Sequence, residues 1–236
     1  CCAPFLLPPY RTLPSSSATG ENTYDIPAPN RTVMDAAQYR LDNLAKPIHS
    51  LGFLEHIAVQ LAGITGKIRL PSNSRAALCL LSGGEELPAE LHAIISAMTE
   101  ERCIDVYCLP AVMENAERHA AVHAVAAGHP LLILGSMGSD AAAVRTALCA
   151  AAEGGALVLP GDAATDHIVR EYCVISPALT HYVLHLLPEM ITAEIDAPAG
   201  IVGILGLEIV RAALHIMNDM KTFTEAKVAV AIDGAG

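Results

Sequence analysis

Three glycine-rich segments stand where chemistry with an anion could occur: Ser82-Gly83-Gly84, Gly135-Ser136-Met137-Gly138 and Pro160-Gly161-Asp162. Each follows an apolar run. Each therefore predicts a strand end, where backbone N–H groups and a following helix N-terminus can hold a phosphate or carboxylate. Two histidine pairs have i, i+4 spacing, His119 with His123 and His181 with His185. Such a pair offers two ligands on one helix turn, but neither has an evident third, so no metal is expected. The seven cysteines form no CxxC motif and are odd in number. They read as reduced thiols in a cytoplasmic setting rather than a disulfide framework.

Those strand ends need a sheet to position them. Apolar runs at 76–81, 104–109, 130–134 and 155–159, with a weaker fifth at 172–175, predict strands. Helical patterns at 88–99, 112–127, 140–152 and 163–169 separate them. Strands alternating with helices imply right-handed crossovers, hence an α/β fold: a parallel sheet with helices on both faces. Residues 34–64 read as helix interrupted at Pro47 and Gly52. From residue 181 helix is expected again, with Val183, Leu184 and Leu187 on one apolar face. A long apolar helix follows from Ile201 to Met220, its polar marks being Arg211, His215 and Asn218. The expected division is a mobile lead-in over 1–30, a parallel α/β core over 71–180, and a small helical domain built from 31–70 and 181–236.

Composition limits the partners. Of 236 residues, 53% are hydrophobic and 17% charged, which is ample material for one large buried core. The net charge of −11 argues against nucleic acid, because phosphate backbones need a basic face. The apolar stretches are broken by His, Gly or Glu and read as too short to span a bilayer. The start, Cys1-Cys2-Ala3-Pro4, has no basic segment followed by an apolar run and does not read as a signal peptide.

Two segments are specific. Leu41-Asp42-Asn43-Leu44-Ala45-Lys46-Pro47-Ile48-His49-Ser50-Leu51-Gly52-Phe53-Leu54-Glu55, followed by Gln60-Leu61-Ala62-Gly63-Ile64, resembles the N-terminal signature of the nicotinate-nucleotide:dimethylbenzimidazole phosphoribosyltransferases. That pattern is approximately L-D-x-L-T-K-P-x-G-S-L-G-R-L-E, then Q-L-A-G-I. His49 stands here for the Gly and Phe53 for the Arg. Asn218-Asp219-Met220-Lys221-Thr222-Phe223-Thr224-Glu225-Ala226 is similar to the family's C-terminal L-N-E-M-A-T-F-x-E-A. Weaker similarity covers Ser176 to His181 and Gly135 to Gly138.

The resemblance implies a Rossmann-like sheet with a small domain of terminal helices, usually in a homodimer. It implies transfer of phosphoribose from nicotinate mononucleotide to a benzimidazole in cobamide lower-loop assembly, with no cofactor. The attacking base nitrogen must lose a proton, so a carboxylate is expected beside the aromatic pocket. The family's glutamate, in its G-E-G-T/S-G segment, aligns with Ala199. Glu194 and Asp196 are the nearest upstream carboxylates and the candidate substitutes. Expected substrate contacts are Lys46, Ser50, Gly135, Met137, Gly138, Ser176 and His181. Lys46 reads equally as an anion contact or a structural ion pair, and Ser50 as a turn former or a pocket residue. Asp140 reads as a helix cap rather than a charge facing phosphate.

Three functions stay open. One is a phosphoribosyltransferase acting on nicotinate mononucleotide and a benzimidazole-type or phenolic base. Another is a catalytically degenerate subunit that pairs with an active homologue. The last is a binding protein for a nucleotide or an aromatic base. No nucleic acid, membrane or metal enters any of them, and a homodimer or heterodimer is expected.

Overall fold

The computed structural model describes residues 24–83, 87–110, 112–185, 197 and 199–227. Its centre is a four-stranded parallel sheet in the order β2-β1-β3-β4. The strands are β1 (Ala76–Ser82), β2 (Ile104–Leu109), β3 (Leu131–Met137) and β4 (Leu157–Pro160). Helices α1 (Arg31–Asp42) and α2 (Phe53–Thr65) precede it. Four more alternate with or follow the strands: α3 (Ala89–Thr99), α4 (Asn115–Gly128), α5 (Ala141–Glu153) and α6 (Ala163–Ile175). A 3-10 segment, Pro177–Tyr182, then leads towards the long α7 (Ile201–Asp219) and the single turn α8 (Phe223–Ala226).

The strands alternate their side chains between two cores, as the pleat requires. Leu78, Leu80, Ile133 and Leu159 point to one face and pack with α1, α2, α3 and α7. Cys79, Leu81, Leu132, Leu134 and Val158 point to the other and pack with α4, α5 and α6. Both faces are covered, which is why the strands read as continuous apolar runs rather than as alternating ones.

Helix α7 carries much of the first core. Ile204, Leu207 and Val210 are fully buried, and each such side chain contributes about 1.5–3 kcal/mol. Its length and mean hydropathy of 1.5 would suffice to cross a bilayer, contrary to the expectation from sequence. Here that apolarity is spent against the sheet and α2, as in a core helix. The Arg40 guanidinium donates to the carbonyls of Met217 and Met220 and ties the end of α7 to α1.

Two expected elements are also corrected. Residues 172–175 are the last turn of α6, not a fifth strand. Val169 and Cys173 extend that helix's buried stripe at i, i+4, and this periodicity outweighs the β-propensity of Tyr172, Val174 and Ile175. Val183 and Leu184 are not helical. Val183 forms a parallel bridge with Val158, and the Leu184 N–H donates to the Val158 carbonyl, so this stretch satisfies the open edge of β4. Leu187, expected on the same helix, lies outside the described residues.

Residues 24–30, expected within a mobile lead-in, are docked. Tyr24 stacks on His119 at 5.3 Å between ring centroids, and the Tyr182 hydroxyl donates to the Pro27 carbonyl. The rest of the lead-in, 1–23, lies outside the described residues.

Candidate functional site

The signature turn between α1 and α2 is built around one buried ion pair. Lys46 Nζ lies 2.8 Å from Glu55 Oε1, with both side chains almost wholly buried. The Leu51 N–H donates to the same oxygen at 3.0 Å. Burial works against ionisation of Glu55, but the Lys46 and Leu51 hydrogen bonds, with the charges of Lys46 and His49, prevail and hold its carboxyl below the usual range. Of the two readings of Lys46, the structure displays the ion pair. Ser50 is exposed, and its N–H closes the turn onto the Pro47 carbonyl. His49 has φ +58°, a conformation that glycine adopts without strain, which accounts for the Gly of the resembled pattern at this position.

At the other end of the molecule, α7 begins against the C-terminal ends of the strands. A Cβ on Gly135 would lie 2.8 Å from the Gly200 nitrogen, and one on Gly161 2.5 Å from the Gly200 Cα. Backbone rests on backbone here, and glycine alone permits the approach. Gly135, Ser136 and Met137 belong to β3 and pair with Leu80, Leu81 and Ser82. Gly138, with φ +70°, turns the chain toward α5. Asp140 caps α5 by accepting from the Ala143 N–H at 2.7 Å. Asp162, 5% exposed, accepts from the Ser136 N–H and the Thr165 N–H, both at 2.8 Å. A protein carboxylate therefore sits where backbone amides and the start of α6 would otherwise meet an anion.

Ala199 is fully buried with φ +54° at the foot of α7. A methyl group accepts no proton. Glu194 and Asp196 lie outside the described residues.

Ser176 is the C-cap of α6, its N–H donating to the Tyr172 carbonyl. His181 is exposed; its carbonyl, with that of Val183, accepts from Gln60 Nε2 at 2.9 and 3.2 Å. Gln60, from the second half of the N-terminal signature, thus anchors the strap beside β4, a role its spacing alone does not reveal. His181 and His185 are not on one helix turn, because the chain is extended after Tyr182. His119 and His123 do share α4, and His119 Nε2 is 2.8 Å from Glu153 Oε2. Among the described residues, the three-residue grouping with metal-ligand spacing is a different one: Asp42, His49 and Glu55.

Asp166 fastens the same strap. His185 Nδ1 is 2.8 Å from its Oδ1, and Arg170 Nε 2.6 Å from its Oδ2. Burial of Asp166 opposes its charge, but the bonds from His185 and Arg170 more than offset this and hold its carboxyl below the ordinary 3.8. A depressed folded-state pKa gives stability that is complete above 3.8 and is lost as the pH falls through the lower folded-state value. Asp166→Asn is therefore expected to lower the urea midpoint at neutral pH, and the gap to the parent chain should close in acid. A gap independent of pH would assign the loss to packing instead.

Two of the expected contacts, Gly135 and Lys46, lie near opposite ends of α7. Gly135 touches the start of α7. The Ala45 N–H, next to Lys46, donates to the Lys221 carbonyl just beyond its end. Nineteen residues at about 1.5 Å each put those ends ~27 Å apart. A third location, the cavity between α3 and the edge strand β2, is lined by His92, Thr99, Cys103 and Asp105 and contains none of the expected residues.

Residues 26–101 match a family model described as phosphoribosyltransferase. The chain is 41% identical over 71 residues to the nicotinate-nucleotide–dimethylbenzimidazole phosphoribosyltransferase of Clostridium tetani, covering 27% of this chain and 20% of that one. It is 33% identical over 102 residues to the enzyme of the same name from Salmonella arizonae, covering 40% and 29%. The matched segments thus span less than a third of these relatives. A solved structure of the Thermus thermophilus enzyme of that name superposes with a TM-score of 0.60 at 18% identity, over 86% of this chain and all of that one. At that identity the likeness speaks for the fold, and the fold agrees with the α/β reading.

Proposed function

We propose that this chain, a shortened and divergent relative of the nicotinate-nucleotide–dimethylbenzimidazole phosphoribosyltransferases, serves cytoplasmic cobamide lower-ligand assembly. The reaction is transfer of phosphoribose from nicotinate mononucleotide to a base such as dimethylbenzimidazole. The observation that carries this reading is the match over residues 26–101, which contains the whole Lys46–Glu55 turn, joined to a parallel sheet with glycine strand ends. Nicotinate departs readily because its ring nitrogen is cationic in the nucleotide, so little acid assistance is required. Proton removal from the incoming base falls to Glu194 or Asp196. Gly135, Met137 and Gly138 would border the phosphoribosyl group. Lys46, Ser50, Ser176 and His181 would contribute from the helical side.

A second reading, a subunit that works with a catalytic homologue, is favoured by two observations. The position aligned with the family's glutamate is a buried alanine. Gly135 and Lys46 also lie near opposite ends of α7, so a site using both takes them from two chains.

One assay separates the readings. The purified chain is given nicotinate mononucleotide and dimethylbenzimidazole, and nicotinate release is measured by chromatography. Release by the chain alone supports the first reading. Release only after mixing with a full-length homologue, and beyond what that homologue releases alone, supports the second. No release in any combination overturns both.

A further inference from the structure

The α1–α2 turn holds a cluster that the phosphoribosyl chemistry does not use. One ligand atom from each of Asp42, His49 and Glu55 lies within 4.8 Å of the other two. Glu55 is 4% exposed. Its Oε1 is committed to Lys46 and to the Leu51 N–H, whereas its buried Oε2 receives no hydrogen bond. A buried carboxylate oxygen left in that state is costly unless a positive group completes it. His49 Nδ1 lies 3.7 Å from Oε2, too far for a hydrogen bond. Asp42 completes the triangle, its carboxylate oriented by Gln38 Nε2 at 2.8 Å.

We propose that Asp42, His49 and Glu55 form a binding site for a first-row divalent transition cation, with Zn2+ as the reference ion. An imidazole nitrogen with two carboxylate oxygens suits Zn2+ or its neighbours better than Mg2+ or Ca2+, which prefer oxygen alone. Bonds of about 2.0–2.2 Å place ligand atoms ~3–3.6 Å apart, so the triangle must contract by roughly 1 Å. The side chain of His49 is 72% exposed and can supply that movement, while Glu55 is already fixed by Lys46 and Leu51. Gln38, Lys46 and the Leu51 N–H thus act as the outer partners that orient metal-binding carboxylates. Three protein ligands leave at least one coordination position open to water or to an anionic ligand. The ion would clip the last residue of α1 to the first turn of α2 across the turn that His49 occupies.

The test uses the intact chain with Co2+ as a spectroscopic probe and Zn2+ as competitor. The parent chain should develop visible d–d absorption with Co2+, lose it to Zn2+ but not to excess Mg2+, and melt at a higher temperature with Zn2+ present. His49→Gly removes one ligand while suiting the positive φ, so the variant should fold and lose affinity by about 100-fold or more. Asp42→Asn should also weaken binding, whereas His119→Gln should not. No Co2+ spectrum from the parent chain, or an unchanged one from a folded His49→Gly variant, overturns the site. Neither result bears on phosphoribosyl transfer, which the nicotinate assay reads separately.

Discussion

Lys46→Met is expected to lower the free energy of unfolding by about 3–5 kcal/mol, the usual cost of deleting one partner from a buried ion pair. The methionine fills most of the space of the lysine stem, so lost packing contributes little. What remains is the Glu55 carboxylate, almost wholly buried, with the Leu51 N–H as its one described hydrogen-bond donor and the exposed His49 ring 3.7 Å away. Urea titration at neutral pH measures the loss. Lys46→Met combined with Glu55→Gln should regain most of it, because the neutral amide keeps an acceptor for Leu51 and needs no counter-charge. A loss below about 1 kcal/mol in the single variant would mean that water screens the pair, as at an exposed surface. Since the readout is unfolding, it is independent of any contact between Lys46 and substrate.

Asp162→Ala is the second large effect, about 2–4 kcal/mol. The side chain caps α6 through the Thr165 N–H, a bond worth about 1 kcal/mol at a helix N-terminus. It also satisfies the Ser136 N–H at the end of β3, and a buried donor left unpaired costs a further ~1–3 kcal/mol. Asp162→Asn should fall between, because one amide oxygen accepts in place of the two carboxylate oxygens. Deleting the carboxylate also leaves both amides open to an external anion. Inorganic phosphate should therefore raise the melting temperature of Asp162→Ala more than that of the parent chain. Equal shifts would show that these amides are closed to solvent, and would place any phosphoribosyl contact elsewhere on the strand ends.

Both variants rest on residues whose partners only the folded chain reveals. Lys46 and Glu55 are nine positions apart in a segment whose resemblance marks it as special, yet spacing does not say that they pair. Asp162 is visible in the sequence as a strand-end residue, and its helix-cap role agrees with the pattern of a polar residue before an apolar helix. Its second bond, to Ser136, spans 26 positions and depends on β3 and β4 being neighbours. Gln60 lies in the signature but faces a strap 121 positions away. No local rule reaches that distance.

The sequence by itself determined the alternation of strands and helices, the parallel sheet and the resemblance carried by the first signature. These depend on periodicity and turn residues, which are local. The expectation that Ala199 stands where the resembled pattern has a glutamate likewise needs only an aligned position. The tertiary structure decided the rest. It made 172–175 the end of a helix, since a buried stripe against α5 outweighs β-propensity. It drew 183–184 onto the edge of β4, since unpaired strand groups must be satisfied. It set Gly135 and Lys46 near opposite ends of α7, and it brought Asp42, His49 and Glu55 together across one turn. The physical reason is the same each time: burial and hydrogen-bond satisfaction are settled between segments far apart in the chain, and sequence pattern records only what each segment prefers alone.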